Sequence, residues 1–136
     1  MIKTKFSISL HILTLLALYP DEWMSSSSIA GSLNINPVLV RKELLALKEG
    51  ALIESKEGKH GGVRLAKKAT QIRLSEIFEI VKGSEHVLSL LKNTPNPNCK
   101  VGKQINQNLE VVLSGIDDAI IKELGKQSLE EFKNRF

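Results

Sequence analysis

The stretch Asn36–Leu65, NPVLVRKELLALKEGALIESKEGKHGGVRL, decides how this chain is read. Asn36 is a favoured N-cap, and Pro37 suits the first helical position because its missing N–H has no intrahelical partner there. Val40, Leu44 and Leu47 recur at i, i+4, i+7, one apolar stripe of a helix. Gly50 stands where a helix C′ residue would, so the expected helix is Pro37–Glu49. Off the stripe, its first turns carry Val38, Arg41 and Lys42. After it, Leu52–Ser55 and Val63–Leu65 are short strand candidates around a loop containing Gly58, Gly61 and Gly62. Glycines there permit positive φ and a close approach of backbone to another surface.

Upstream, Ser26–Leu33 (SSSIAGSL) predicts a shorter helix with a serine cap, with Ile29 and Leu33 facing inward. Asn34-Ile35-Asn36 is then a three-residue turn. Two helices so closely joined match helix-turn-helix, in which the second helix enters the major groove by its N-terminal end. With the glycine hairpin added, the pattern is a winged helix.

The chain has 136 residues, 42% hydrophobic and 25% charged, as expected of one globular domain, with or without an extension. The net charge is +4, and all of the excess falls in the first half. Residues 1–68 hold ten Lys/Arg against six Asp/Glu, and residues 69–136 hold nine of each. That asymmetry favours a polyanion at the helix and hairpin. Cys99 is the only cysteine, which excludes an intramolecular disulfide and a single-chain cysteine-rich metal site. Leu10–Tyr19 is apolar but too short to span a bilayer, and no signal-peptide cleavage pattern follows. A cytoplasmic location is expected.

Phe6–Tyr19 reads as a helix apolar on almost all sides, suited to lie between the reading helices and another subunit. His11 within it has no carboxylate in its helical turn, so packing or a dimer contact is expected rather than catalysis. Lys67–Gln71 reads as a polar connector. Ile72–Lys82 predicts a helix ended by Gly83. Glu85–Leu91 is open between strand and helix, and His86 beside Glu85 looks like an ordinary surface pair. Lys92–Asn98 (KNTPNPN) is the clearest break. Val101–Leu124 is the longest periodic segment, with Val101, Ile105, Leu109, Val112, Ile116, Ile120 and Leu124 along one stripe. As a helix it would be about 36 Å long, outreaching a small winged-helix core. A second copy of the same helix is the expected partner, with Ile105, Leu109, Val112, Ile116 and Ile120 in the contact. Gly115 offers a close approach or slight bend there. Ser128-x-x-Glu131 is a capping box for a final short helix.

The run NPVLVRKELLALKEGALIESKEGKHGGVRL, followed by QIRLSEIFEIVKG, resembles the IscR/NsrR/CymR (Rrf-two) family of bacterial winged-helix regulators, in particular its YwnA-like members. The resemblance covers the whole chain. It implies a mainly α fold with a small β-wing, a homodimer crossed through the long helix, and a palindromic duplex-DNA operator. It also implies Pro37, Val38, Arg41 and Lys42 at the groove and His60, Gly61 and Gly62 at the wing tip. Lys3, Ser27 and Lys59 complete the expected DNA contacts. The chain departs from the family at Val63, where an aromatic is common. It departs again at the iron–sulfur cysteines, of which only Cys99 is present, so no cofactor is expected.

The expected organisation is a winged-helix domain over 1–83 and a loop with dimerisation helices over 84–136. The expected function is a sequence-specific transcriptional regulator, in particular a repressor. A winged helix used only for protein contacts is the alternative. No catalytic motif such as G-x-S-x-G, a P-loop or H-E-x-x-H is present, so an enzyme is not expected. Arg41 and Lys42 read either as base and phosphate contacts or as a solvated face with Lys42 beside Glu43. Lys59, His60, Gly61, Gly62 and Arg64 read either as contacts to DNA or as an ordinary hairpin loop. Cys99, at a helix start beside Lys100 and Lys103, reads either as a redox sensor with a lowered thiol pKa or as a small packing residue. The sequence names no effector.

Overall fold

The structure, a computed structural model, describes residues 2–136, with side chains from Thr4 onward. Helices α1 (Ile2–Leu18), α2 (Ser26–Leu33) and α3 (Pro37–Glu49) are followed by strands β1 (Ile53–Lys56) and β2 (Gly62–Leu65). A 3-10 turn at Ala69–Gln71 leads to α4 (Leu74–Lys82), the long α5 (Lys100–Leu124) and α6 (Leu129–Lys133).

Local chemistry sets the reading helices. The Ser25 hydroxyl accepts the Ser28 N–H at 3.1 Å, and the Asn36 side-chain oxygen accepts the Val38 N–H at 2.8 Å. Each satisfies a donor that the first turn leaves without an intrahelical acceptor. Asn34, at φ 55°, closes α2 in the left-handed region, and the three-residue turn to Pro37 follows. The two strands pair antiparallel, Ile53 opposite Leu65 and Lys56 opposite Gly62.

One core joins the ends of the chain. Ile12, Leu13 and Leu16 of α1, Ile29 of α2, Val40 and Leu47 of α3, Ile77 of α4 and Leu129 of α6 are completely or almost completely buried together. Each such side chain contributes about 1.5–3 kcal/mol by leaving water. The C-terminal α6 therefore packs into the same core as α1, although a long helix separates them in sequence.

Four expectations shift. α1 starts at Ile2 rather than Phe6, because Ile2–Lys5 contain no residue that breaks a helix. α4 starts at Leu74 rather than Ile72. The Leu129 N–H donates to the Ile72 carbonyl at 2.8 Å and the Leu74 N–H to the Gln127 carbonyl at 3.0 Å, so residues 72–74 are held extended against the C-terminal segment. The connector before it contains the 3-10 turn and buries Ala69. Gly50 has φ −79°, and the left-handed residue is Ala51 at φ 61°. Gly50 is instead required by space, since a Cβ there would run into the side chain of Ile80 on α4.

Candidate nucleic-acid interface

Helix α3 divides cleanly by face. Val40, Glu43, Leu44 and Leu47 are buried against the core, while Val38, Arg41, Lys42 and Leu45 are exposed. Glu43 thus points inward, and among the described residues neither Arg41 nor Lys42 forms an ion pair. Pro37 is half-buried at the first helical position, and Ser27 is exposed in the first turn of α2. The side chain of Lys3 lies outside the described residues.

The wing is anchored from a place the sequence did not signal. Met24 and Val63 exchange both backbone hydrogen bonds, at 2.9 and 2.8 Å, adding a third extended segment beside β2. Gly62 (φ 149°) lies against this segment, and a Cβ there would strike the Met24 backbone. The close approach foreseen for the wing glycines is thus, at Gly62, made to the chain itself, and Gly62 opens β2 rather than crowning the tip. Lys59 and His60 are the exposed tip, with Gly61 donating its N–H to the Gly58 carbonyl at 3.0 Å.

Arg64 is already engaged. Its Nε donates to Glu54 at 2.7 Å and its guanidinium lies 4.2 Å from the centroid of the Trp23 ring. Lys56 approaches the same ring at 5.9 Å. A cation held by a carboxylate and an aromatic face offers less to a phosphate than a free one. Of the wing cations named from the sequence, Arg64 is thus less available to phosphate than Lys59.

The segment from Ser84 to Asn98 forms neither helix nor strand and runs along α5. It is held there by His86, which is not the surface pair with Glu85 that the sequence suggested. The His86 side chain is only 15% exposed. Its Nδ1 donates to Asp117 at 2.5 Å and its Nε2 to Glu110 at 2.6 Å. Two carboxylate acceptors require both ring nitrogens to carry protons, so the imidazole is cationic. The hydrogen bond to Asp117, then that to Glu110, raise its pKa against a smaller opposing effect of burial. For Asp117, burial pushes the carboxyl up. The bonds from His86 and the Val87 N–H, with the charges of His86 and Lys82, outweigh it and hold the group below the ordinary carboxylate range. Residues 31 apart in sequence make this pair, so no local pattern could reveal it.

Cys99 is exposed at the N-cap of α5. Its thiol pKa is lowered by the backbone N–H of Gly102 and then of Val101, the free donors of the helix start, and not by Lys100 or Lys103. On α5 itself the periodic stripe divides. The residues of α5 buried within the chain, Leu113 and Asp117, lie beside the stripe and not on it, and of the stripe Leu124 packs on the core. Val101 and Val112 are exposed, and Ile105, Leu109, Ile116 and Ile120 are half-buried. Gly115 has open space around it, and the helix runs through it unbroken.

A recognition helix with free cations, a short turn before it and a hairpin after it define a winged-helix DNA-binding protein. Residues 2–135 match the Rrf2 family, described as an iron-dependent transcriptional regulator, and the chain belongs to that family. It is 35% identical over 134 residues to YwnA of Bacillus subtilis, named as an HTH-type transcriptional regulator, covering 98% of both chains. It is 31% identical to the HTH-type transcriptional regulator NsrR of Shouchella clausii, covering 85% of this chain and 82% of that one. The fold is shared with the global cysteine regulator CymR of B. subtilis, at TM-score 0.72 and 23% identity, over 100% of this chain and 98% of that one. The protein is a DNA-binding transcriptional regulator and not an enzyme.

The iron in the family description calls for a donor set that this chain lacks. An iron–sulfur cluster is ordinarily held by four thiolates, and the chain has the one exposed thiol of Cys99. Among the described residues no three His, Cys, Asp or Glu side chains gather as a metal site. The residues present do not fit a family-type cluster. No described helix is long and apolar enough to cross a membrane.

Proposed function

We propose that the chain acts as a homodimeric repressor that occupies a palindromic operator in the cytoplasm and excludes other proteins from it. Residues 1–83 form the reading head, and 84–136 supply the dimerisation arm, with α6 returning to brace the head. Pro37, Val38, Arg41 and Lys42 enter the major groove. Ser27, Lys59 and His60 contact backbone, as does Lys3, and the glycines Gly61 and Gly62 shape the wing. The observation that carries this reading is the outward face of α3, where Arg41 and Lys42 are unpaired among the described residues while the wing's Arg64 is not. Arg41 suits a bidentate contact to guanine, and Lys42 suits phosphate.

Dimerisation is supported by two apolar surfaces of one chain. One is the outward side of α5 at Val101 and Val112, with Ile105, Leu109, Ile116 and Ile120 alongside. The other is a groove of about 470 Å³ between α1 and α6, lined by Phe6, Leu10, Leu15, Leu18, Phe132 and Phe136. The long helix of one protomer in the α1 groove of its partner would cover both. Dimers place the two reading helices about one helical turn of DNA apart.

The test is capture of genomic fragments on the full-length protein, followed by sequencing. A palindromic consensus, bound less tightly as salt rises, is expected. Binding that ignores salt, or no enriched sequence, would overturn the DNA reading in favour of a protein-contact module. Val112→Glu should shift the protein from dimer to monomer in sedimentation, and a dimer unchanged by it would refute the α5 interface.

A second reading rests on Cys99, exposed and with a stabilised thiolate. With peroxide as oxidant, the thiolate takes one oxygen as sulfenic acid and hydroxide leaves. DNA binding by Cys99→Ser that responds to peroxide as wild type does would remove this reading.

A further inference from the structure

The centre of the reading face of α3 is not charged. Val38 is 62% exposed and Leu45 is 59% exposed. They are seven residues apart, close to two turns at 3.6 residues per turn, so they share one line along the helix. That line faces away from Val40, Leu44 and Leu47, the stripe buried in the core. Arg41 flanks it on one side and Lys42 on the other. Glu49 follows one turn after Leu45 on the same side. Two large apolar side chains between two cations are out of place against water or phosphate. The base edges of the major groove present one apolar group, the C5-methyl of thymine.

We propose that Leu45, together with Val38, reads thymine methyl groups, and that Leu45 is a specificity residue of this regulator. The inference rests on the DNA reading of α3 and adds what that face recognises. Seven helical residues rise about 10.5 Å, about three base-pair steps of duplex. With the helix axis running along the groove, the half-site carries thymines on either side of the base that Arg41 contacts, spaced by roughly three steps. Leu45 fits this role because its exposed side chain contributes nothing to the core, so its size is free to serve recognition.

The probe is the consensus duplex selected from a randomised pool by the full-length protein. Each conserved thymine in it is replaced singly by deoxyuridine, which removes the methyl and keeps the base pair. At the two contacted positions the loss of one buried methyl should weaken binding by about fourfold. Leu45→Ala should bind the thymine duplex more weakly and no longer distinguish thymine from uracil at its position, while still distinguishing them at the Val38 position. Leu45→Met, which restores an apolar side chain, should recover part of the discrimination. Helical content and melting temperature should be unchanged in both variants, since the site is exposed. If uracil is tolerated everywhere, if Leu45→Ala discriminates as wild type does, or if the consensus has no thymine at such positions, the proposal is overturned. Failure to select any consensus would instead overturn the DNA reading beneath it.

Discussion

The head and the arm of this protein are held together by different forces. In the head, α1, α2, α3 and α4 meet through aliphatic side chains, with Ile12, Leu13, Leu16, Ile29, Leu47 and Ile77 withdrawn from water. In the arm, the segment after α4 lies on α5 through polar contacts: a charged histidine between two carboxylates, and the Asn106 side chain paired with the Leu91 backbone. Burial of aliphatic groups is indifferent to pH, whereas the clamp makes both of its carboxylate bonds only while His86 carries a proton on each ring nitrogen. The comparison sets a reader packed by aliphatic burial beside a support whose attachment is in part set by protonation.

The largest expected effect breaks the head. Leu47→Ala, from a completely buried position on α3, should cost about 2–5 kcal/mol in denaturant unfolding. A loss below 1 kcal/mol would mean the core is less closely packed than the structure indicates.

Next is the head's function without its stability. Arg41→Ala should weaken binding to the consensus by about 1–3 kcal/mol and relax preference at one base pair, with unfolding unchanged. An equal loss on all sequences would make Arg41 a phosphate contact.

The arm responds to pH instead. The raised pKa of His86 adds stability that is complete below its ordinary value of 6.5 and is lost as pH climbs through the raised value. The lowered pKa of Asp117 adds stability present above its ordinary value of 3.8 and lost as pH falls through the lowered one. The clamp is therefore firmest between the two. Amide exchange at Val87, whose N–H donates to Asp117 at 3.1 Å, should accelerate beyond the intrinsic rate as pH rises above the His86 value. Exchange at buried α1 amides should not. In His86→Gln the extra acceleration should vanish, and its persistence would assign the effect elsewhere.

The smallest effect belongs to the wing. Arg64→Ala removes a half-exposed ion pair and a stacking contact and should cost no more than about 1 kcal/mol. Its effect on DNA affinity should be much smaller than that of Arg41→Ala. A comparable loss in a binding titration would return Arg64 to the contact surface.

Much of the head was legible because its signals are local. The bounds of α3 follow from Asn36, Pro37 and the end of the apolar stripe, and those of α2 from Ser25 and Asn34. The hairpin follows from the glycines between two short strand candidates. Each of these depends on neighbours within a few positions. The site was legible to the same degree on α3, where the facing of Arg41 and Lys42 follows from helical periodicity. It was less so in the wing, where Met24 supplies an unforeseen third segment and Trp23 engages Arg64. Leu45 belonged neither to the apolar stripe nor to the residues expected at the groove. Its place on the outward line was the signal available.

The sequence alone determined the order of elements, the two reading helices, the wing, the long helix and the side of the chain that carries positive charge. These depend on dihedral preference, capping and periodicity, all encoded within a turn or two. Tertiary structure decided which glycine was needed for space at Gly50, where α4 could begin, how α6 joins the core of α1, and which charges are spent within the chain. His86, Asp117 and Glu110 show the reason most plainly. Their interaction requires side chains 24 and 31 positions apart to meet, and only the packing of the arm on α5 brings them together.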